Sequence, residues 1–287
     1  MTILRDFRSA ALPVSLALVL APVVTLAGCT GDASPEAVLL STAGASHEAI
    51  LGWRQQSEQP IRLATQGPID VDAELFAGDV RIEVDGSLSE TVVSMRRVGA
   101  HGWGRTDEAM KSLGDIRTIV SFERRDGIDA VVARATTQHP EPHFQRADLL
   151  IRTPDLGSVR VRTSRAGVWV SGNRGPVDIE TTRGRVRVMT PWRMDKPMTI
   201  VTSDETIDLR IRGESSGWFD AQSVNGAVKA NVKFGEWLVM DERNDAHSLR
   251  AWLNGGTNPI VLRTSNATIH ISVVPQPIST NPFTPVP

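Results

Sequence analysis

Between residues 159 and 269 the chain alternates apolar and polar positions in a pattern that recurs. The template reads hydrophobic, x, hydrophobic, x, Thr or Ser, x, Arg, Asp or Asn, x, x, hydrophobic. It fits Val159, Val161, Thr163 and Arg165, closing at Val168, and again Val177, Ile179, Thr181 and Arg183, closing at Val186. Met198, Ile200, Thr202 and Asp204 close at Ile207, and Phe219, Ala221, Ser223 and Asn225 close at Val228. Ile260, Leu262, Thr264 and Asn266 close at Ile269. Successive starts lie 18, 21, 21 and 41 residues apart, so the last gap predicts one degenerate copy from Trp237 to Leu253. A weaker match runs upstream from Val71 and Ala73 to Val80.

Period-two alternation marks strands with one buried face, and each unit holds two of them around a short turn such as Arg183-Gly184 or Asn225-Gly226. A unit of about 21 residues cannot bury its apolar face alone, so units must stack. The expected fold is all-β: a parallel β-solenoid of about 21-residue rungs over residues 61–274. In-register stacking sets equivalent residues about 4.8 Å apart. It would place Arg160 and Arg162 against Asp178 and Glu180, and let Arg187, Asp208 and Lys229 follow one another. Val161, Ile179, Ile200 and Leu262 would point inward, where full burial is worth roughly 1.5–3 kcal/mol each.

Outside the repeat, residues 29–60 read as a tether and N-terminal cap with a short helix at His47 to Gln56. Strands are expected at Val80–Val84 and Val92–Arg96, and one or two helical turns at Thr106–Leu113. Ile116–Glu123 and Ile128–Ala135 flank Arg125-Asp126-Gly127, a hairpin signal. Five prolines in residues 275–287 make that segment a tail rather than a strand.

The N-terminus carries Arg5 and Arg8, then an apolar run from Ala10 to Ala27, then Leu26-Ala27-Gly28-Cys29. This is the layout of a secretory signal. Leu-Ala-Gly-Cys resembles the lipobox of bacterial lipoproteins. That resemblance implies a signal peptide over residues 1–28, diacylglycerol on the Cys29 thiol and a mature protein held by lipid outside the cytoplasm. Thr30, in place of the aspartate linked to inner-membrane retention, favours the outer membrane or cell surface. Cys29 is the one cysteine, so none remains for a disulfide or a thiolate metal site. The formal charge is -2 and becomes about -3 once the signal is removed, too balanced to imply nucleic acid as a partner.

Gly157-Ser-Val-Arg-Val-Arg-Thr-Ser-Arg-Ala-Gly-Val-Trp-Val, Ser223-Val-Asn-Gly-Ala-Val and the approach Asp148-Leu-Leu-Ile-Arg-Thr-Pro resemble the adhesin-like domain catalogued as DUF4097. The resemblance covers roughly Ile61 to Val274. It implies a parallel β-helix-like fold on an exported or membrane-tethered protein, with no catalytic residues to transfer.

Several groups could carry chemistry. Gly213-Glu-Ser215-Ser-Gly217 matches the nucleophile-elbow pattern, but the elbow needs a strand-to-helix turn, and here a surface loop between rungs is the simpler reading. His139-Pro-Glu-Pro-His143 brings two imidazoles near a carboxylate, and its prolines favour a polar loop over a metal site. No catalytic set, metal site or cofactor motif is expected. The binding candidates are Trp169, Trp218 and the cations Arg160, Arg162 and Arg187, since an indole face packs on sugar C–H surface and cations suit anionic glycans. Trp169 is expected to face outward, with Trp218 in a loop. These features point to a non-catalytic module that binds envelope polysaccharide or protein. A polysaccharide-acting enzyme and an envelope sensor working through a membrane partner are the alternatives.

Overall fold

The computed structural model describes residues 52–65, 67–240 and 244–278. The proposed signal peptide, Cys29 and residues 279–287 of the tail lie outside the described residues. The chain divides into two units, Met1–Thr42 and Ala43–Pro287, and everything below concerns the second.

The strands run in chain order β1 (Trp53–Ser57), β2 (Ile61–Ala64), β3 (Ile69–Leu75), β4 (Val80–Val84) and β5 (Glu90–Ala100). Helix α1 (Thr106–Ser112) and one turn of 3-10 helix lead into β6 (Ile116–Arg125), β7 (Ile128–Thr137) and β8 (Gln145–Thr153). Then come β9 (Leu156–Thr163), β10 (Val168–Ser171), β11 (Val177–Thr181), β12 (Val186–Met189), β13 (Met198–Val201) and β14 (Ile207–Ile211). The last six are β15 (Gly217–Ser223), β16 (Val228–Val232), β17 (Trp237–Val239), β18 (Ser248–Leu253), β19 (Pro259–Thr264) and β20 (Ile269–Val273).

They form two parallel-rich sheets, and each repeat places its first strand in one and its second in the other. The first sheet runs β1-β5-β8-β4-β10-β12-β14-β20-β16, with β2 also on β5; the second runs β17-β18-β15-β19-β13-β11-β9-β3-β7-β6. The alternation works as expected: Val161, Ile179, Ile200 and Leu262 are all fully buried, as are Val170, Val188, Leu209 and Ile271 on the facing sheet. The hairpin at Asp126-Gly127 forms with positive φ at both residues, the geometry that matches strand twist.

The fifth template position has a purpose in the corners. Thr181 Oγ1 donates to Ala166 O, Thr202 Oγ1 to Gly184 O at 3.2 Å, and Ser223 Oγ to Ala267 O at 2.8 Å. Each buried hydroxyl thus satisfies a turn carbonyl of the neighbouring unit, which would otherwise cost about 1–3 kcal/mol unpaired. The seventh position builds a second column outside: Arg183 Nε to Asp204, Asn266 Nδ2 to Asp204, and Asn225 Nδ2 to Asn266. Gly184 closes the fit, because a Cβ there would lie 1.6 Å from Ala166 O.

Spatial order departs from sequence order at both ends. The unit β19–β20 inserts between β13–β14 and β15–β16, and β3–β4 sits between β7–β8 and β9–β10. Asp208 therefore faces Arg187 and His270, and Lys229 faces His270, so the expected succession Arg187, Asp208, Lys229 is corrected by one inserted strand. Trp237 to Leu253 is not a degenerate rung. Its strands β17 and β18 are antiparallel to each other, and β18 is antiparallel to β15, so they close the edge of the second sheet. Residues 53–57 form strand β1 antiparallel to β5, which corrects the helix expected at His47 to Gln56; residues 47–51 of that expectation lie outside the described residues.

Candidate functional site

The residue after each closing hydrophobic of the template points away from the core, so one column crosses the outside of the first sheet. It reads Arg81, Trp169, Arg187, Asp208, His270, Lys229. Trp169 is half-buried between two guanidinium groups, with Arg81 at 5.4 Å and Arg187 at 4.8 Å from its ring centroid. Such contacts are worth about 0.5–1 kcal/mol each when exposed. Arg187 Nε lies 2.8 Å from Asp208 Oδ2 as an ion pair without hydrogen-bond alignment, and Arg210 donates two hydrogen bonds of 3.1 Å to the same carboxylate. Burial pushes the His270 imidazole down; Asp208 opposes this, while Lys229, Arg210 and Arg185 reinforce it. His270 thus inserts a weakly basic group between Asp208 and Lys229.

The second sheet carries the other candidates. Arg160 and Arg162 stand opposite Asp178 and Glu180 as the spacing predicts. The contact, however, is concentrated on Arg162, whose guanidinium bonds the Asp178 carboxylate and approaches Glu180 at 3.3 Å. Arg160 is exposed and makes no ion pair among the described residues. On its other side Arg160 faces Asp72. Burial would raise the Asp72 carboxyl, yet Arg134 and Arg125 hold it below the ordinary range.

Trp218 is not in a loop. It lies on the outward face of β15, opposite Trp252 of β18, with ring centroids 4.6 Å apart. Leu238, 60% exposed, pairs with Trp252 on the far side, and Pro259 pairs with Trp218 on the near side. The structure does not bring Trp169 and Trp218 together, because they face away from opposite sheets. Trp252 and Arg81 were missed by the sequence reading. Arg81 carried a usable signal, since it follows the closing Val80 of the upstream match. Trp252 carried none without knowing that β18 turns back.

The remaining motifs have structural places. Ser215 is fully buried and its hydroxyl accepts the Met194 N–H at 3.0 Å, so it is part of a corner rather than a surface loop. His143 packs on Phe144 at 4.0 Å, and the His101 ring stacks on Phe144 at 4.9 Å and meets His139 edge-on at 5.3 Å. No cluster of three or more metal-ligating side chains occurs among the described residues.

No family model matches the chain, and no curated protein matches it in sequence. Its fold is similar to that of a protein from Clostridium sporogenes described as a "putative cell adhesion protein". That likeness has a TM-score of 0.54 at 8% identity and covers 76% of this chain and 99% of the other. A "putative adhesin" from Bacteroides fragilis also aligns over 77% of this chain and 97% of its own, at 10% identity, but its TM-score of 0.26 carries no argument.

Proposed function

We propose that the protein is a lipid-anchored cell-envelope module, tethered through Cys29, whose stacked β body binds envelope glycan or protein without catalysis. The shared fold with the Clostridium sporogenes protein carries the adhesin-like part of this reading. The lipobox resemblance carries the anchor. The outer faces suit binding: they are long, regularly spaced rows in which most charges already have partners, and two tryptophan sites lie among them. On the first sheet, the Arg81 and Arg187 guanidinium groups lie over the Trp169 ring from the two flanking strands, and this cation-flanked indole suits an anionic sugar. On the second, Trp218 and Trp252 offer an uncharged platform.

The test uses the full chain with its own leader, expressed in a bacterial host fed an alkyne fatty acid. Label on the wild type that is lost in Cys29→Ala, with release from the membrane fraction, is the expected result. Unlabelled wild-type protein would overturn the anchor. The purified chain is then applied to a polysaccharide array while reducing ends are assayed. Binding that weakens in Trp169→Ala or Trp218→Ala without new reducing ends is expected, and release of reducing ends would overturn the non-catalytic reading.

A further inference from the structure

Strand β16 ends the first sheet as an open parallel edge. Among the described residues it pairs with β20 alone. Ile269 N–H bonds Ala227 O and Lys233 N–H bonds Val273 O, so the odd-numbered residues of this segment face β20. In a parallel ladder alternate residues direct both backbone groups to the same neighbour, so residues 228, 230 and 232 direct theirs outward. The Val228 N–H is taken by Ala246 O at 2.9 Å. Among the described residues nothing pairs with the backbone groups of Ala230 and Val232, which face the open side.

Four further observations single out this edge. The other sheet ends finish in antiparallel strands: β1 and β2 on β5, β6 on β7, and β17 on β18. The inward column is also incomplete here: Ile269, Ile271 and Val273 of β20 are fully buried, but Val228 and Val232 are half-buried and Ala230 is exposed. Val224 and Phe234, at the two ends of β16, are 64% and 49% exposed, and Phe234 lines two concavities of about 750 and 420 Å³. Finally, Lys229 and Lys233 stand exposed on the outer face, and neither has an ion-pair partner among the described residues.

We infer that β16 is a strand-acceptor site for an extended acidic segment of a partner protein. Such a segment would complete the backbone bonds of Ala230 and Val232, cover the inward column with apolar residues, and set acids four residues apart beside Lys229 and Lys233. Strand addition draws affinity from main-chain bonds and selectivity from alternate side chains. Edge lysines alone would read as a guard against aggregation. A guard does not account for the exposed Val224 and Phe234 at its two ends. Charge also argues against a second copy, because residues 228–234 carry two lysines and no carboxylate to offer a mirrored edge. Site β16 lies eight strand spacings from β1, roughly 38 Å along the sheet. If the anchor reading above holds, this biological use rests on it: the chain enters at the β1 end, and the acceptor edge is the far one.

The test needs neither lipid nor glycan, so its failure is separable from failure of that reading. The full chain in detergent is titrated with a synthetic peptide Thr-Val-Glu-Val-Thr-Val-Glu-Val carrying a fluorophore, and with the same peptide bearing Lys for Glu. Saturable binding of the acidic peptide alone is expected. Ala230→Pro removes only the outward N–H, a change edge strands accept, and should weaken binding at least tenfold. Lys229→Glu combined with Lys233→Glu should reverse the preference to the lysine peptide, which decides the matter should the proline variant not fold. Absence of saturable binding, or binding indifferent to both variants, would overturn the inference. So would self-association of the full chain in sedimentation that the Ala230→Pro change abolishes, which would make a second copy the occupant.

Discussion

Val161, Ile179, Ile200 and Leu262 each sit between two flanking strands and are fully buried, whereas Val228, Ala230 and Val232 have one flanking strand and remain partly exposed. The same alternation of residues produces both outcomes. Inward direction is a property of a strand's own period, but burial is a property of its neighbours. The middle of the stack therefore reuses one set of contacts in every unit, and each end needs a separate solution. At the β17–β18 side that solution is aromatic: Trp237 packs edge-on against the buried Phe219 at 5.0 Å.

The largest expected difference comes from placing a carboxylate at equivalent inward positions. Ile200→Asp puts an unpaired charge in the middle and should cost roughly 4 kcal/mol or more, enough to abolish cooperative folding. Val232→Asp at the open edge can reach water and should cost less than about 1 kcal/mol. Urea denaturation of the two variants measures the contrast, and equal losses would show that the edge is covered.

A backbone contact gives the next contrast. Gly184→Ala drives a methyl onto Ala166 O of the adjoining unit, so the stack must part locally at a cost of about 1–3 kcal/mol. Gly86 lies in an open turn where a Cβ meets nothing within 4 Å, and Gly86→Ala should be neutral. Thermal melts of both proteins separate close stacking from any general intolerance of alanine.

The hydroxyl column offers a finer comparison. Thr202→Val removes the bond to Gly184 O and should cost about 1 kcal/mol. Thr163 occupies the same template position, yet its buried Oγ1 has no hydrogen-bond partner, so Thr163→Val should be neutral or stabilising. Opposite signs in denaturant midpoints would confirm that hydroxyl bonding between units, rather than side-chain shape, matters at this position.

These contrasts also mark how far residues alone could be read. Inward faces, turns, the outward direction of Trp169 and the step from Arg187 to Asp208 were legible, because period-two geometry and a short turn fix them within each unit. The place of β19–β20 was not. Ile260 and Leu262 satisfy the same template as Met198 and Ile200, so the apolar pattern fits either slot. Selection comes instead from side chains that must match on both sides, such as Asn266 between Asp204 and Asn225. The helix expected at His47 to Gln56 fails over residues 53–56 for a related reason: at a sheet edge the partner β5 supplies the strand, and Arg and Gln carry strong helix propensity without that partner.

The smallest expected effect concerns the end opposite β16, where His101 is 3% exposed and its Nε2 lies 2.9 Å from Ser112 Oγ. Burial pushes the imidazole down, helped by His139 and Arg105 and opposed by Glu108 and Glu141. The folded protein then holds a neutral ring while the unfolded chain titrates near the ordinary value of 6.5. As pH falls through that value the unfolded state takes up a proton that the folded state resists, so stability present above about 6.5 declines toward the depressed folded pKa. His270 is also pushed down and would add a slope of the same sign, so the wild-type curve alone cannot assign the effect. The expected outcome is a melting temperature that drops from pH 7 to pH 5.5, with a shallower drop in His101→Gln. A His101→Gln profile as steep as wild type would place the titration elsewhere.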